Sequence, residues 1–330
     1  MNSLRMNSGL KFAFLFLIFA LPAAAQTCFT ANDMPPATRT ALLDTGQRFF
    51  GMISQGDVAS LRQNTISGLA ANFGGIETIV VQSRDNLQGA RPTPRPPFLL
   101  KAQGSAPLER AEFLCGVFNK SGQTKDSAVF VIPNLPVGDY GIVIQDVVSP
   151  KGRFTVSYVL QLDGTSWKLA GLYIKSAQSA GHDGAWFVDR ARAFKAKSQM
   201  RNAWLYSLQA HYLLAPLDFM NDYTTDKLYD EFQNTKPSDF PPQDMTAGGK
   251  TYKITEMFLL PVVNDIDLIV KYASPDVSNT GQIFKDNQEL VRAIVAKYPE
   301  FRDAFDAVVA RAVEPSGRDF GSMVQMKEIK

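Results

Sequence analysis

The stretch from Phe154 to Ile174 constrains the fold more than any other part of the chain. Phe154, Val156, Tyr158, Leu160 and Leu162 are apolar at every second position, with Thr155, Ser157 and Gln161 between them. This period-two pattern gives one strand an apolar face and a mostly polar face. Asp163-Gly164 supplies a hairpin turn, and Trp167 to Ile174 returns as the partner strand. A sheet built on that hairpin needs a cover for its apolar face, and helices upstream are the natural one. Pro36 to Ile53 reads as a helix, with Leu42, Leu43, Phe49, Phe50 and Ile53 at helical spacing. Asp57 reads as the N-cap of a second helix carrying Val58, Leu61 and Ile66, and Gly74-Gly75 marks a further break. Arg91 to Pro97, with its four prolines, is expected to be a stiff irregular loop into the sheet. Glu109 to Phe118, Ser127 to Ile132 and Tyr140 to Val148 read as strands. The expected class is α+β, with N-terminal helices packed on a curled antiparallel sheet.

Helices followed by a curled meander that ends in a long hairpin resemble the nuclear transport factor two-like (SnoaL-like) cone fold. The opening helix, the Gly56-Asp57-Val58 step and the Phe154 to Ile174 hairpin carry the resemblance, over about Pro36 to Lys175 in a unit bounded at 36–178. It implies a cavity between helices and sheet, catalytic in some members and a binding or dimerisation surface in many others, so fold alone does not choose. It also implies a homodimer formed through the sheet. Tyr158 lies on the apolar face of its strand. There it either offers a hydroxyl to such a cavity or is core with a satisfied hydroxyl.

The first 25 residues read as an export signal. Arg5 and Lys11 precede the apolar run Phe12 to Leu21, Pro22 breaks it, and Ala23-Ala24-Ala25 offers small residues for cleavage. A run of that length falls short of the roughly 20 residues that span a bilayer. Cleavage between Ala25 and Gln26 is expected, with a mature chain that is periplasmic or secreted and has no transmembrane segment. The whole chain has 34 basic and 32 acidic residues, and the signal takes two of the basic ones. The resulting neutrality argues against a nucleic-acid partner, which needs a basic stripe. Cys28 and Cys115 are the two cysteines. In an oxidising compartment an even pair points to one disulfide, and two unpaired thiols are the alternative.

Gly181-His182-Asp183-Gly184 reads as a boundary. Beyond it, Ala185 to Met200 and Asn202 to Leu214 read as a helical hairpin within 184–235. Ala191, Phe194, Ala203 and Ala210 are spaced as the small, aromatic, small and small positions of a tetratricopeptide repeat, which the segment resembles. Ser207 departs from that pattern where an aromatic is usual, and a single unit makes no solenoid. A small α+β region occupies 246–330. Its expected strands are Tyr252 to Val262, Asp265 to Tyr272 and Met323 to Ile329, and its expected helices Gln282 to Lys297 and Phe301 to Ala312.

Chemical motifs are sparse. Gly249-Lys250-Thr251 lacks the upstream glycine of a phosphate loop, Asp244 standing in its place, so a hairpin turn explains the glycines better. His182 and His211 stand alone, without metal-ligand spacing. Asp265 and Asp267 fall on one side of a strand, as two solvent-facing charges or as an acid pair. Arg190, Lys197 and Arg201 share a helical face, open to an acidic partner or simply solvated. No cofactor and no metal are expected. The sequence points to a non-catalytic binding or assembly module for a protein or small ligand. A small-molecule isomerase- or hydrolase-like enzyme is the alternative.

Overall fold

A computed structural model of the chain describes residues 26–119, 122–241 and 244–329. The export signal and Ala25 lie outside the described residues. A short strand, β1 (Gln26–Phe29), precedes α1 (Pro36–Gln55). Pro36 opens that helix where its missing N–H is no loss, and Gly56, at φ 73°, closes it in the left-handed conformation that glycine adopts freely. The Asp57 side chain accepts the Ser60 N–H at 3.0 Å and so caps α2 (Val58–Gln63). Then come α3 (Ser67–Ala71) and α4 (Gly74–Leu87).

The strands that follow are β2 (Arg91–Pro94), β3 (Phe98–Ala102), β4 (Leu108–Cys115), β5 (Phe118–Asn119), β6 (Gly122–Gln123) and β7 (Ala128–Leu135). After them come β8 (Gly138–Ser149), β9 (Gly152–Asp163), β10 (Ser166–Ser176), β11 (Gln178–Ser179) and β12 (His182–Asp183). The main sheet runs β1-β3-β8-β9-β10, with β2 beside β3 on the same edge of β8. All its pairs are antiparallel. In the β9–β10 hairpin Asp163 pairs with Ser166, so the turn residues are Gly164 and Thr165, one position later than the sequence pattern indicates. Gly164, at φ 62°, takes the position where a side chain would be strained.

The apolar face of this sheet packs under the helices: Val143, Val156, Tyr158, Leu160 and Leu169 share a core with Leu42, Phe49 and Ile53. The face expected to be mostly polar is also covered. Thr155 and Ser157 are buried there, and Val159 joins Phe98 and Ile142 in a second core against Phe113 and Phe130 of β4 and β7. Those strands form a separate sheet, β13-β7-β4, in which β13 is Met220–Asp222. Its apolar inner face covers Val159, while the Ser157 hydroxyl donates to the Pro216 carbonyl and Thr155 lies by Leu213 and Leu214. The 91–97 segment also departs from expectation. Residues 91–94 pair with β8, Arg91 opposite Val148 and Pro94 opposite Gln145. Proline is tolerated there because β2 is an edge strand, with a free side that needs no N–H.

Next come α5 (Gly184–Ala196) and α6 (Met200–Leu214), then α7 (Tyr223–Phe232) after β13. The last part holds β14 (Asp244–Ala247), β15 (Lys250–Val262), β16 (Asp265–Ala273), α8 (Thr280–Lys297), β17 (Ala307–Val313) and β18 (Asp319–Gln325). These strands form one sheet in chain order, with β16 and β17 parallel and α8 as their crossover. Phe187 and Tyr206 of the α5–α6 pair share a core with Leu268 of β16 and Ile294 of α8. The region read as a helix over Phe301 to Ala312 is instead a short 3₁₀ turn, Pro299–Asp303, followed by β17. Ala307, Val308, Ala310 and Ala312 are all fully buried in a strand with neighbours on both sides. That placement overrides the helix preference of alanine. Among the described residues no helix is long and apolar enough to cross a membrane.

Candidate functional site

The clearest cleft lies where the edge of the main sheet is interrupted. Pro96 and Pro97 have no N–H to offer β8, so pairing stops between β2 and β3. The Arg95 N–H still donates to the Ile144 carbonyl at 2.8 Å, and the next residues swing out as a proline wall. Beside that wall a cavity of about 530 Å³ opens between the β1–α1 turn, the start of α1 and the loop before β7. Phe98, Ile144, Met220 and Leu43 give it an apolar lining, while Arg39, Arg95, Lys125, Asp126 and Asp222 bring charge to it. The size and the few convergent polar groups suit a small organic ligand.

Most of those polar groups are already held in place. Arg95 donates from Nε and Nη2 to Asp146 at 2.9 and 2.7 Å. Burial lowers the pKa of that guanidinium, but the Asp146 hydrogen bonds and the charges of Asp146 and Asp222 outweigh burial and raise it. Arg39 Nη1 donates to the Ala31 carbonyl at 3.3 Å. Asp222 caps α7 by accepting the Thr225 N–H at 2.9 Å, and its own N–H donates to Thr225 Oγ1. The Ser127 hydroxyl donates to the Thr124 carbonyl and the Thr30 hydroxyl to Asp33 Oδ2, both at 2.6 Å. The geometry of the cleft positions charge around an apolar floor.

The residues singled out from the sequence lie elsewhere. Tyr158 is fully buried beneath α1, 6.2 Å from the Phe49 ring, and its hydroxyl donates to Gln145 Oε1 at 3.0 Å. Burial raises its pKa well above the ordinary value, and its neighbourhood is filled core. Cys28 and Cys115 are disulfide-bonded, with Cα atoms 5.0 Å apart, joining β1 to β4. Gln26 adds to the same junction by accepting the Glu112 N–H on its side chain.

Arg190, Lys197 and Arg201 do not present one common surface. Arg201 pairs with Asp239 at 2.6 Å and Glu300 at 3.8 Å and stacks over the Tyr298 ring. Arg190 lies over the rings of Trp186 and Phe194. Only Lys197 is exposed. Gly248 and Gly249, at φ 55° and 76°, make the β14–β15 turn, and Lys250 is bound to Asp286 at 2.7 Å. Of the acid pair, Asp265 is exposed and Asp267 buried. His182 stacks on Trp186, with ring centroids 3.8 Å apart.

Among the described residues no group of three or more His, Cys, Asp or Glu is arranged to hold a metal ion. The chain matches no known protein family, no curated protein and no solved structure. The cleft residues escaped the sequence reading because they come from segments as distant as Arg39, Arg95, Lys125 and Met220. The proline run was visible, but the gap it leaves in β8 pairing is a property of the sheet.

Proposed function

We propose that the chain is an exported, non-catalytic binding or assembly module, periplasmic or secreted. In this reading residues 36–178 form a cone-type unit of the nuclear transport factor two-like kind, and 184–235 a tetratricopeptide-like hairpin. The observation that carries the reading is the contrast between a buried, hydrogen-bonded Tyr158 and an open cleft. Tyr158, the group best placed to serve a cone cavity, is bonded to the Gln145 amide within packed core. The cleft beside Pro96 and Pro97 has an apolar floor, and three of its charged groups are held, Arg39 and Asp222 by backbone and Arg95 by Asp146. The Cys28–Cys115 bond suits an oxidising compartment.

The test uses 1-anilinonaphthalene-8-sulfonate, an apolar anion matched to the Arg39 and Lys125 side of the cleft. Saturable one-to-one fluorescence enhancement is expected, weakened at least tenfold by Leu43→Asp. Equal binding by that variant would place the dye elsewhere and remove the cleft from the reading. Native mass spectrometry of protein purified from the exported fraction adds the natural occupant. Conversion of a retained small molecule during incubation would replace the binding module with an enzyme.

A further inference from the structure

A second surface, sharing no lining residue with the cleft, has the chemistry of a strand acceptor. On its outer side β15 pairs with β14 only over Lys250–Lys253, and on its inner side with β16 from Ile254 to Val262. Among the described residues, no strand pairs with the outer edge of β15 beyond Lys253. A cavity of about 500 Å³ lies against this stretch and touches Phe258, Leu259 and Pro261. Consecutive side chains of a strand point to opposite faces, so a cavity touching both Phe258 and Leu259 must sit at the strand's edge. Its far wall is α6, through residues that include Leu208 and Tyr212, which are 41% and 54% exposed. None of the residues lining it is charged.

We propose that this groove takes an extended, apolar, uncharged peptide segment of a partner protein, which adds as a strand to the open edge of β15 and lays alternate side chains against α6. An edge strand turns unpaired N–H and C=O groups outward at every second residue, and natural edges are usually blunted by charge or cover. Here the edge is flanked by an uncharged channel, apolar along Leu205, Leu208, Leu213 and Phe258 and polar at Ser176, Gln178, Ser179 and Gln209. Pro261 has no N–H and ends the pairing there, which leaves Glu256 to Leu260, about 17 Å of strand at roughly 3.3 Å per residue. Main-chain hydrogen bonds provide affinity in this mode, and the wall provides selectivity for apolar side chains at alternate positions. An acidic or basic segment would lose the hydration of its charges to a lining with no counter-charge.

The test is fluorescence polarisation with a labelled nine-residue peptide of alternating valine and threonine, titrated with the disulfide-intact chain. A twin peptide carries N-methyl groups on alternate residues, which removes the N–H donors and keeps the side chains. Saturable binding is expected, at least tenfold weaker for the twin and at least tenfold weaker with Leu208→Glu, a change on the exposed side of α6. Bound peptide is also expected to slow amide hydrogen exchange over residues 256–260. Leu43→Asp, in the cleft, leaves the peptide titration unchanged, so failure of the cleft reading and failure of this one are separable. Absence of saturable binding, or equal binding by the N-methylated twin, overturns the proposal. So does protection of 256–260 in peptide-free protein that grows with protein concentration, which would assign the edge to a second copy of the chain.

Discussion

Replacing Gly141 with alanine tests how α1 is seated on the sheet. Gly141 lies in β8, opposite Leu99 and Leu160, and its φ is outside the left-handed region. Its lack of a side chain therefore serves space and not conformation. A methyl group built there would sit 2.1 Å from Leu42 Cδ2 and 3.2 Å from Leu42 Cγ. Carbon atoms in contact need about 3.5–4.0 Å, so the Leu42 side chain must retreat by roughly 1.5 Å or more. Leu42 is fully buried in the core formed by α1 and the main sheet, so it cannot retreat without moving its neighbours. Overpacking of this kind costs about 1–3 kcal/mol, which outweighs the roughly 0.5–1 kcal/mol gained by stiffening a glycine. Gly141→Ala alone is expected to destabilise by about 2 kcal/mol, and Leu42→Ala alone by about 2–5 kcal/mol. The double variant should be more stable than the sum by at least about 1 kcal/mol, because the new methyl enters the space Leu42 leaves. Urea unfolding followed by circular dichroism, at constant m value, measures all three. Additivity within about 0.5 kcal/mol would refute direct contact between residue 141 and Leu42 as the source of the cost.

Three further outcomes follow from the same structure. Cys28→Ser with Cys115→Ser opens a crosslink spanning 87 residues and should cost about 4.6 kcal/mol on the chain-entropy account, read as a lower urea midpoint under non-reducing conditions. Glu314 has its pKa held near 2, chiefly by the Arg318 hydrogen bonds and then by the Val277 N–H, against its ordinary 4.5. A depressed carboxylate stabilises the fold above pH 4.5 and loses that contribution as pH falls through about 2, so the gap between wild type and Glu314→Gln should close over that window in pH-dependent melts. Asp267 shows the opposite sign, since burial, Asp306 and Asp265 raise its pKa above 3.8. Its ionised form is a liability at neutral pH, so Asp267→Asn should raise the melting temperature at pH 7 and give no gain below pH 3.8.

Local signals in the chain decide the structure where one segment contains the whole cause. The helix from Pro36, the Asp57 cap and the Phe154 to Ile174 hairpin depend on neighbours within a few residues, and their placement follows from periodicity and cap chemistry. The errors share a different cause. Thr155 and Ser157 look solvent-facing until the end of α6 and the residues after it reach them, the Ser157 hydroxyl donating to the Pro216 carbonyl and Thr155 lying by Leu213 and Leu214. Ala307 to Ala312 looks helical until α8 returns the chain to run parallel to β16. In both places the deciding partner lies far along the sequence, and propensity yields to packing.

The two surfaces argued above follow the same logic, because each is a place where a sheet fails to complete its pairing. At β8 the cause is covalent: Pro96 and Pro97 remove donors, and the edge opens into a cleft floored by Phe98 and Ile144. At β15, among the described residues, β14 pairs with only the first four residues of a 13-residue strand. The first gap exposes side chains with charge around them, which suits a compact ligand that is recognised by shape and a polar end. The second exposes backbone donors and acceptors beside an uncharged wall, which suits an extended chain and discriminates poorly among its side chains. Blocking one gap leaves the other intact, since no residue lines both cavities. On the reading proposed above, two such gaps serve to bring two molecules together. For that role the Tyr158–Gln145 pair needs only to hold α1 against its sheet.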